Sequence, residues 1–202
     1  MIIIVDYGLG NPASLKNMLR KAGHSSTITG DPEEISKAAR LILPGVGAFD
    51  TGMRKLRELG LEEILNHKVL VEKIPVLGIC LGAHLMTSGS EEGILPGLSW
   101  IHAETVKFNL PRDGKLKVPH MGWNEIEWKK EHVISRDIPL PSRFYFVHSY
   151  HLKCHRPEQV LAVAEYGYSF VCGFSHENIS GVQFHPEKSH KFGMKLLSNF
   201  AT

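Results

Sequence analysis

Cysteine is scarce. Cys80, Cys154 and Cys172 are the three in 202 residues, and no two of them form a CxxC pair. An odd count at wide spacing argues against a disulfide framework and for a reducing compartment. Excess charge is lacking too: a formal net charge of +2 gives no basic surplus to hold nucleic acid or an anionic membrane. No apolar run approaches the roughly 20 residues that span a bilayer. The N-terminus has no basic leader and reaches Asp6 too early for a secretory signal. Histidine is plentiful at 12, but none pairs with cysteine at metal-ligand spacing. The expectation is a cytoplasmic chain without a metal or organic cofactor.

What is present is a globular balance, 43% hydrophobic and 22% charged. The length suits one domain, residues 1–202, with a full core. The first half predicts alternating strands and helices. Ile2 to Val5 reads as a buried strand, followed by the loop DYGLGN. Asn11 can cap a helix that Pro12 opens and Gly23 ends. Ser26 to Thr29 is a second strand, and Asp31-Pro32-Glu33-Glu34 starts another helix. Leu41 to Leu43 is a third strand, running into PGVGAF, and helical patches follow around Met53 to Leu59 and Leu61 to Glu72. This alternation indicates an α/β fold: a mainly parallel central sheet with helices on both faces. Ligands of such sheets bind beyond the C-terminal strand ends, where these glycine-rich loops fall.

The texture changes after Gly97. Thr105 to Phe108, Asn124 to Trp128, Phe144 to Val147, Val160 to Ala164, Ser169 to Phe174 and Gly181 to Phe184 look like strands with little helix between them. They predict a smaller mixed or antiparallel sheet region. A closing amphipathic helix runs from His190 to Phe200, with Phe192, Leu196, Leu197 and Phe200 on its apolar side.

The chemistry concentrates in IPVLGICLGAHLM, Ile74 to Met86. An apolar strand leads to Cys80, glycines stand two residues to either side, and a helix-compatible run follows. That is the pattern of a nucleophile elbow. The glycines permit a cramped turn, and the next helix aims backbone N–H groups at the apex, favouring a thiolate and an oxyanion. A cysteine at a strand end is also an ordinary core residue. A nucleophile needs a base, and the base needs an orienter. GVQFHPEKS, Gly181 to Ser189, offers both. Pro186 keeps His185 extended, and Glu187 can return to hold one imidazole nitrogen, leaving the other for Cys80.

GICLG followed by HPE about a hundred residues later resembles the class I, or triad, glutamine amidotransferases. The segments DYGLGN, LILPGVGAF, PHMGWNEIEW, YFVHSYH and GVQFHPEKS are similar to the members that serve imidazole glycerol phosphate synthesis. The resemblance covers nearly the whole chain. It implies a glutaminase subunit that hydrolyses L-glutamine to glutamate and ammonia through a Cys80 γ-glutamyl thioester. His185 would move the proton and Glu187 would orient it. The Leu81 N–H would line an oxyanion hole, with the loop at Val46 and Gly47. Gly47, His148, Ser149 and Tyr150 would bind substrate. Glu92 is a partner for the substrate ammonium, or else part of a solvated loop.

Ammonia would pass to a (β/α)8-barrel cyclase in a heterodimer, giving imidazole glycerol phosphate and AICAR in histidine synthesis. Asn11, Trp123, Tyr145 and Lys188 would face that partner, the last two at the ammonia exit. Trp123 and Trp128 also read as core aromatics. One departure stands out. The family pattern C-x-G-x-Q has glutamine where this chain has His84. His84 lies one helical turn beyond Cys80, on the substrate side. It either substitutes for the glutamine, marks a subgroup, or weakens hydrolysis. Alternatives are the same glutaminase feeding a surface-polysaccharide sugar amidotransferase, a cysteine peptidase on a similar sheet, and a non-catalytic binding subunit.

Overall fold

The protein is described from a computed structural model covering residues 1–110 and 116–202. In chain order the first half contains β1 (Ile2–Val5), α1 (Pro12–Lys21), β2 (Ser26–Thr29), α2 (Pro32–Ser36) and β3 (Arg40–Leu43). It continues with α3 (Phe49–Glu58), α4 (Leu61–Asn66), β4 (Val76–Ile79) and α5 (Leu81–Leu85). The caps work as their chemistry dictates. Asn11 Oδ1 accepts from the Ser14 N–H at 3.1 Å, and Asp31 Oδ1 from the Glu33 N–H at 2.9 Å. The patch from Leu61 to Glu72 is not one α-helix. It passes into a π-helical turn over His67–Val71, where the buried Lys68 ammonium donates to the Ser36 carbonyl at 2.8 Å.

The second half contains β5 (Ala103–Lys107), β6 (His120–Trp128), β7 (Ser142–His148), β8 (Tyr150–Cys154) and β9 (Val160–Glu165). It ends with β10 (Ser169–His176), β11 (Ile179–Val182) and α6 (His190–Ala201). Eleven strands of the described residues join in one sheet, ordered β2-β1-β3-β4-β11-β10-β9-β6-β7, with β8 pairing β10 and β5. Pairing is parallel from β2 to β11 and antiparallel beyond.

The antiparallel part is therefore not the smaller one: it holds six of the eleven strands. Sequence patterning undercounted it because the chain passes from β7, paired to β6, into β8, paired to β5 and β10, across Ser149 alone, with no glycine or proline to mark the break. One further boundary moved. The strand expected over Gly181 to Phe184 ends at Val182, since its parallel partner β4 stops at the matching residue, Ile79. Gln183, Phe184 and His185 thus lie beyond the ladder, not in it.

The parallel strands are buried on both sides, and side chains alternate between two cores. Ile3, Val5, Leu41 and Leu43 pack with Met53 and Leu56 of α3, Leu61 and Leu65 of α4, and Leu85 of α5. Ile2, Ile4, Ile42, Leu77 and Ile79 pack with Leu15 and Leu19 of α1, and Leu196, Leu197 and Phe200 of α6. The second core extends under the antiparallel strands through Phe144, Phe146 and Phe170.

Candidate active site

Cys80 follows β4 directly and adopts φ +51°, ψ −112°. A positive φ on a residue with a Cβ costs about 1–3 kcal/mol and persists only where the surroundings impose it. The surroundings here are backbone. The Cys80 N–H donates to the Val182 carbonyl at 2.8 Å, and the Cys80 carbonyl accepts from the His84 N–H at 3.1 Å. Glycine is required on both sides of the turn. A Cβ on Gly82 would overlap the Leu43 carbonyl, and one on Gly78 would sit 2.7 Å from Ala83 Cα. Sequence spacing suggested that a Cβ at either position would clash in the cramped turn. Neither has a positive φ, and both are needed for close approach.

The loop after β3 crosses this turn. A Cβ on Gly45 would overlap the Tyr7 hydroxyl and stand 2.9 Å from Leu81 Cβ. The Tyr7 hydroxyl donates to the Pro44 carbonyl at 2.6 Å, tying the loop after β1 to the base of the Val46–Gly47 loop. Burial raises the Tyr7 pKa above its ordinary value, and charge on Cys80 adds to the effect, so the hydroxyl remains a donor. Gly47 has φ +126°, a conformation open to glycine and strained for other residues.

His185 follows β11, the strand beside β4. Its N–H donates to the Tyr145 carbonyl of β7 at 2.9 Å, and its carbonyl accepts from Ser189 Oγ at 2.6 Å. Ser189 Oγ in turn accepts from the Tyr145 N–H at 3.0 Å, closing the anchor. A single turn of 3-10 helix over Pro186–Lys188 brings Glu187 back. Its Oε1 accepts from His185 Nδ1–H at 2.7 Å. Both side chains are buried, which keeps water from competing for that bond. His185 Nε2 is buried with no partner among the described residues. Burial, the largest influence, lowers the His185 pKa; Cys80 and Glu187 outweigh it and raise the value to about 10. Cys80 is thus in electrostatic reach of the imidazole, although no close hydrogen bond joins them in this state.

A cavity of about 210 Å³ opens beside the sulfur. Cys80, Leu81 and His84 form one side, Val46 and Gly47 a second, and Glu92 a third. His148, Ser149 and Tyr150 close it where β7 passes into β8, together with Val147 and Pro119. Every sequence-derived candidate for the oxyanion and substrate positions lies on this wall. Glu92 is more than a solvated loop residue. Its Oε2 accepts from the Phe49 N–H at 2.9 Å at the start of α3, and Asp50 accepts from the Ile94 and Leu95 N–H groups at 3.1 Å. The loop carrying Glu92 is held by both ends of that exchange.

Two histidines, His84 and His148, line the cavity, and His120 backs the second. His148 Nδ1–H donates to the Tyr150 carbonyl at 2.8 Å, so its Nε2 accepts from His120 Nδ1–H at 2.9 Å. Burial lowers the pKa of His84 and of His120 to about 4 and that of His148 well below its usual value, leaving all three neutral near pH 7. His151 belongs to the neighbouring aromatic cluster instead, accepting from the Tyr168 hydroxyl at 2.9 Å.

Of the candidate partner-facing residues, three cluster. The Tyr145 ring lies edge-on to Trp123 at 6.3 Å, and Lys188 Nζ sits 5.5 Å from the Tyr145 centroid. Trp123 stacks on His190 at 5.4 Å and is 40% exposed, so it is not a core aromatic. Trp128 is half-buried and packs against the second core. Asn11 is exposed and occupied as a cap; its helix packs on the turn that carries Lys188.

Gln183, Tyr7 and Ser189 escaped the sequence reading. Gln183 carried a usable signal: a polar residue in an apolar run, two positions before His185 and hence on the same side of an extended chain. Tyr7 and Ser189 act on backbone carbonyls of distant segments, which no local pattern reveals. No helix among the described residues is long and apolar enough to cross a membrane.

An elbow cysteine at the rim of a sheet covered on both faces is the architecture of the triad amidotransferases. The chain matches the class-I glutamine amidotransferase family over residues 3–202 and belongs to it; it is an enzyme of that kind. Its similarity narrows further. It is 57% identical to imidazole glycerol phosphate synthase subunit HisH 2 of Methanococcus maripaludis, over 99% of this chain and 98% of that one. It is 48% identical to the protein of the same description in Pseudomonas aeruginosa, with the same coverage. Among solved structures, one titled glutamine amidotransferase superposes with a TM-score of 0.71 at 18% identity, covering 98% of this chain and 99% of that one. PurLQS from Thermotoga maritima gives 0.71 at 14% identity, covering 98% and 96%. At those identities the structural likeness speaks for the fold alone.

Proposed function

We propose that this chain is the glutaminase subunit of an imidazole glycerol phosphate synthase, releasing ammonia from L-glutamine for a (β/α)8-barrel partner. The observation that carries the reading is the gathering, around one small cavity, of Cys80 with Gly47, Leu81, His84, Glu92 and the His148–Tyr150 segment. At about 210 Å³ it lies below the ~300–1,000 Å³ typical of drug-sized ligands and suits a free amino acid. The relatives' names support the choice of pathway.

In the reaction the Cys80 thiolate adds to the substrate carboxamide carbon. The oxyanion forms beside the Leu81 N–H and the Val46–Gly47 loop, where one well-placed donor is worth roughly 3 kcal/mol. His185, protonated and held by Glu187 through Nδ1, gives the Nε2 proton to departing ammonia. The γ-glutamyl thioester remains. His185 then accepts a proton from water, which attacks the thioester and frees glutamate. Glu92 supplies the negative charge for the substrate ammonium. Ammonia leaves past Tyr145 and Lys188 on the face that Trp123 and Asn11 also occupy. Transfer across a sealed interface keeps it unprotonated.

A second reading keeps the glutaminase and changes the acceptor to a sugar of surface polysaccharide. It is favoured by His84 in place of the family glutamine. Complementation decides between the two. The chain should restore growth without histidine to a strain lacking its own glutaminase subunit. Soluble expression without growth would overturn the histidine assignment.

A further inference from the structure

Beyond the triad, two buried polar side chains form a line that ends on the nucleophile. We propose that Gln183 is a thiolate-stabilising residue whose carboxamide N–H faces Cys80, and that His84 is the positioning residue that sets the amide's direction. His84 Nε2 and Gln183 Oε1 are 2.8 Å apart, and Gln183 Nε2 is 3.9 Å from Cys80 Sγ. The inference rests on the glutaminase reading only for its consequence in catalysis; the contacts exist without it.

Gln183 is fully buried, and its backbone N–H is already spent on the Cys172 carbonyl at 2.9 Å. A buried carboxamide NH2 without an acceptor is costly, and a neutral thiol accepts weakly. Among the described residues the recorded partner of this NH2 is the Cys80 sulfur. That pairing gains most when the sulfur is a thiolate, because a charged acceptor strengthens the bond.

His84 decides which end of the amide faces the sulfur. Burial keeps its imidazole neutral near pH 7, so one nitrogen carries the proton. With the proton on Nε2, His84 donates to Gln183 Oε1 and the NH2 end turns to Sγ. With the proton on Nδ1, Nε2 would demand the NH2 end and the amide oxygen would face the sulfur. A thiolate repels that oxygen, so thiolate and Nε2–H tautomer select each other. The other titratable groups facing this line are His185 across the sulfur, Tyr7 behind it, and His148 and His151 beside His84. This assigns His84 a task inside the nucleophile's support.

The test is the pH profile of Cys80 alkylation by iodoacetamide in the full chain, read on the Cys80 peptide by mass spectrometry from pH 5 to 10. Gln183→Leu should move the midpoint upward by about one pH unit and slow alkylation at pH 7 roughly ten-fold. Gln183→Glu should move it at least as far. His84→Leu should move it in the same direction, and His84→Gln, which keeps a donor, should bring it back toward the parent. The double variant His84→Leu/Gln183→Leu orphans no polar atom and serves if a single variant misfolds; its midpoint should match that of Gln183→Leu. A midpoint unmoved in folded Gln183→Leu, or in the double variant, overturns the proposal. Alkylation needs neither glutamine nor a partner. Failure of the glutaminase reading would show separately, as a parent chain that hydrolyses no glutamine alongside a barrel partner.

Discussion

On one side of β11 the strands are parallel and joined by helices; on the other they are antiparallel and joined by turns. The two halves contribute to the candidate site in different ways. The parallel half sets Cys80 through backbone alone: a positive φ, two glycines pressed against neighbouring chain, and a bond to the Val182 carbonyl. The antiparallel half sets His185 through a relay of side chain and backbone, in which Ser189 and Tyr145 hold the residue that Glu187 orients. It also contributes His148, Ser149 and Tyr150 to the cavity. The nucleophile is therefore placed by close approach of backbone segments, and the base by side chains that tie the turn after β11 to β7.

Removing the nucleophile should have the largest effect. Cys80→Ala should lower glutamine-dependent turnover by roughly four orders of magnitude or more. Synthesis from added ammonia by the assembled complex should survive, which steady-state assays with each nitrogen source would read.

The backbone contribution of the parallel half can be attacked next. Gly82→Ala forces a methyl into the Leu43 carbonyl. Urea denaturation should register a loss of about 2–3 kcal/mol, within the range for overpacked sites. An equally stable variant would mean that the elbow is less tightly held than its contacts indicate. The antiparallel counterpart is Ser189→Ala. It strands the Tyr145 N–H and frees the His185 carbonyl. The expected cost is about 1–2 kcal/mol, with kcat reduced and KM little changed.

Acid should act on both halves. His84 and His120, with pKa values lowered by burial to about 4, take up protons on unfolding at pH values between there and 6.5. The unfolded chain binds more protons in that window, so stability falls as pH drops through it. By pH 4.5 the loss from His84 alone should be about 2–3 kcal/mol. A shallower acid slope for His84→Gln in denaturation curves would attribute it. His185 runs the other way: its raised pKa stabilises fully below about 6.5, and that contribution fades as pH climbs toward about 10. The smallest effect belongs to the exposed Lys73–Glu177 pair at 2.8 Å, which bridges the segment before β4 and the β10–β11 turn. Solvent screens such pairs, and Lys73→Ala should leave the melting midpoint unchanged.

The same division governs what was legible beforehand. β1, β2 and the caps at Asn11 and Asp31 follow from short-range chemistry and stand where patterning put them. The β7–β8 break at Ser149 carried no glycine or proline, so β8 was not distinguished as a strand of its own. The end of β11 was misplaced by two residues because apolar character continues through Phe184 while the ladder does not. Trp123 was ambiguous for a related reason: an indole on a strand reads alike whether a core or solvent covers it.

By itself the sequence determined the elbow, since glycines around a cysteine between strand and helix admit few conformations, and it determined the alternation that builds the parallel sheet. Only the tertiary structure decided which distant groups reach the sulfur. The His84–Gln183 line joins residues 99 positions apart, and Tyr7 reaches Pro44 across 37. Such contacts depend on sheet order and on where each ladder stops, quantities that depend on neighbouring strands and not on the local run of residues.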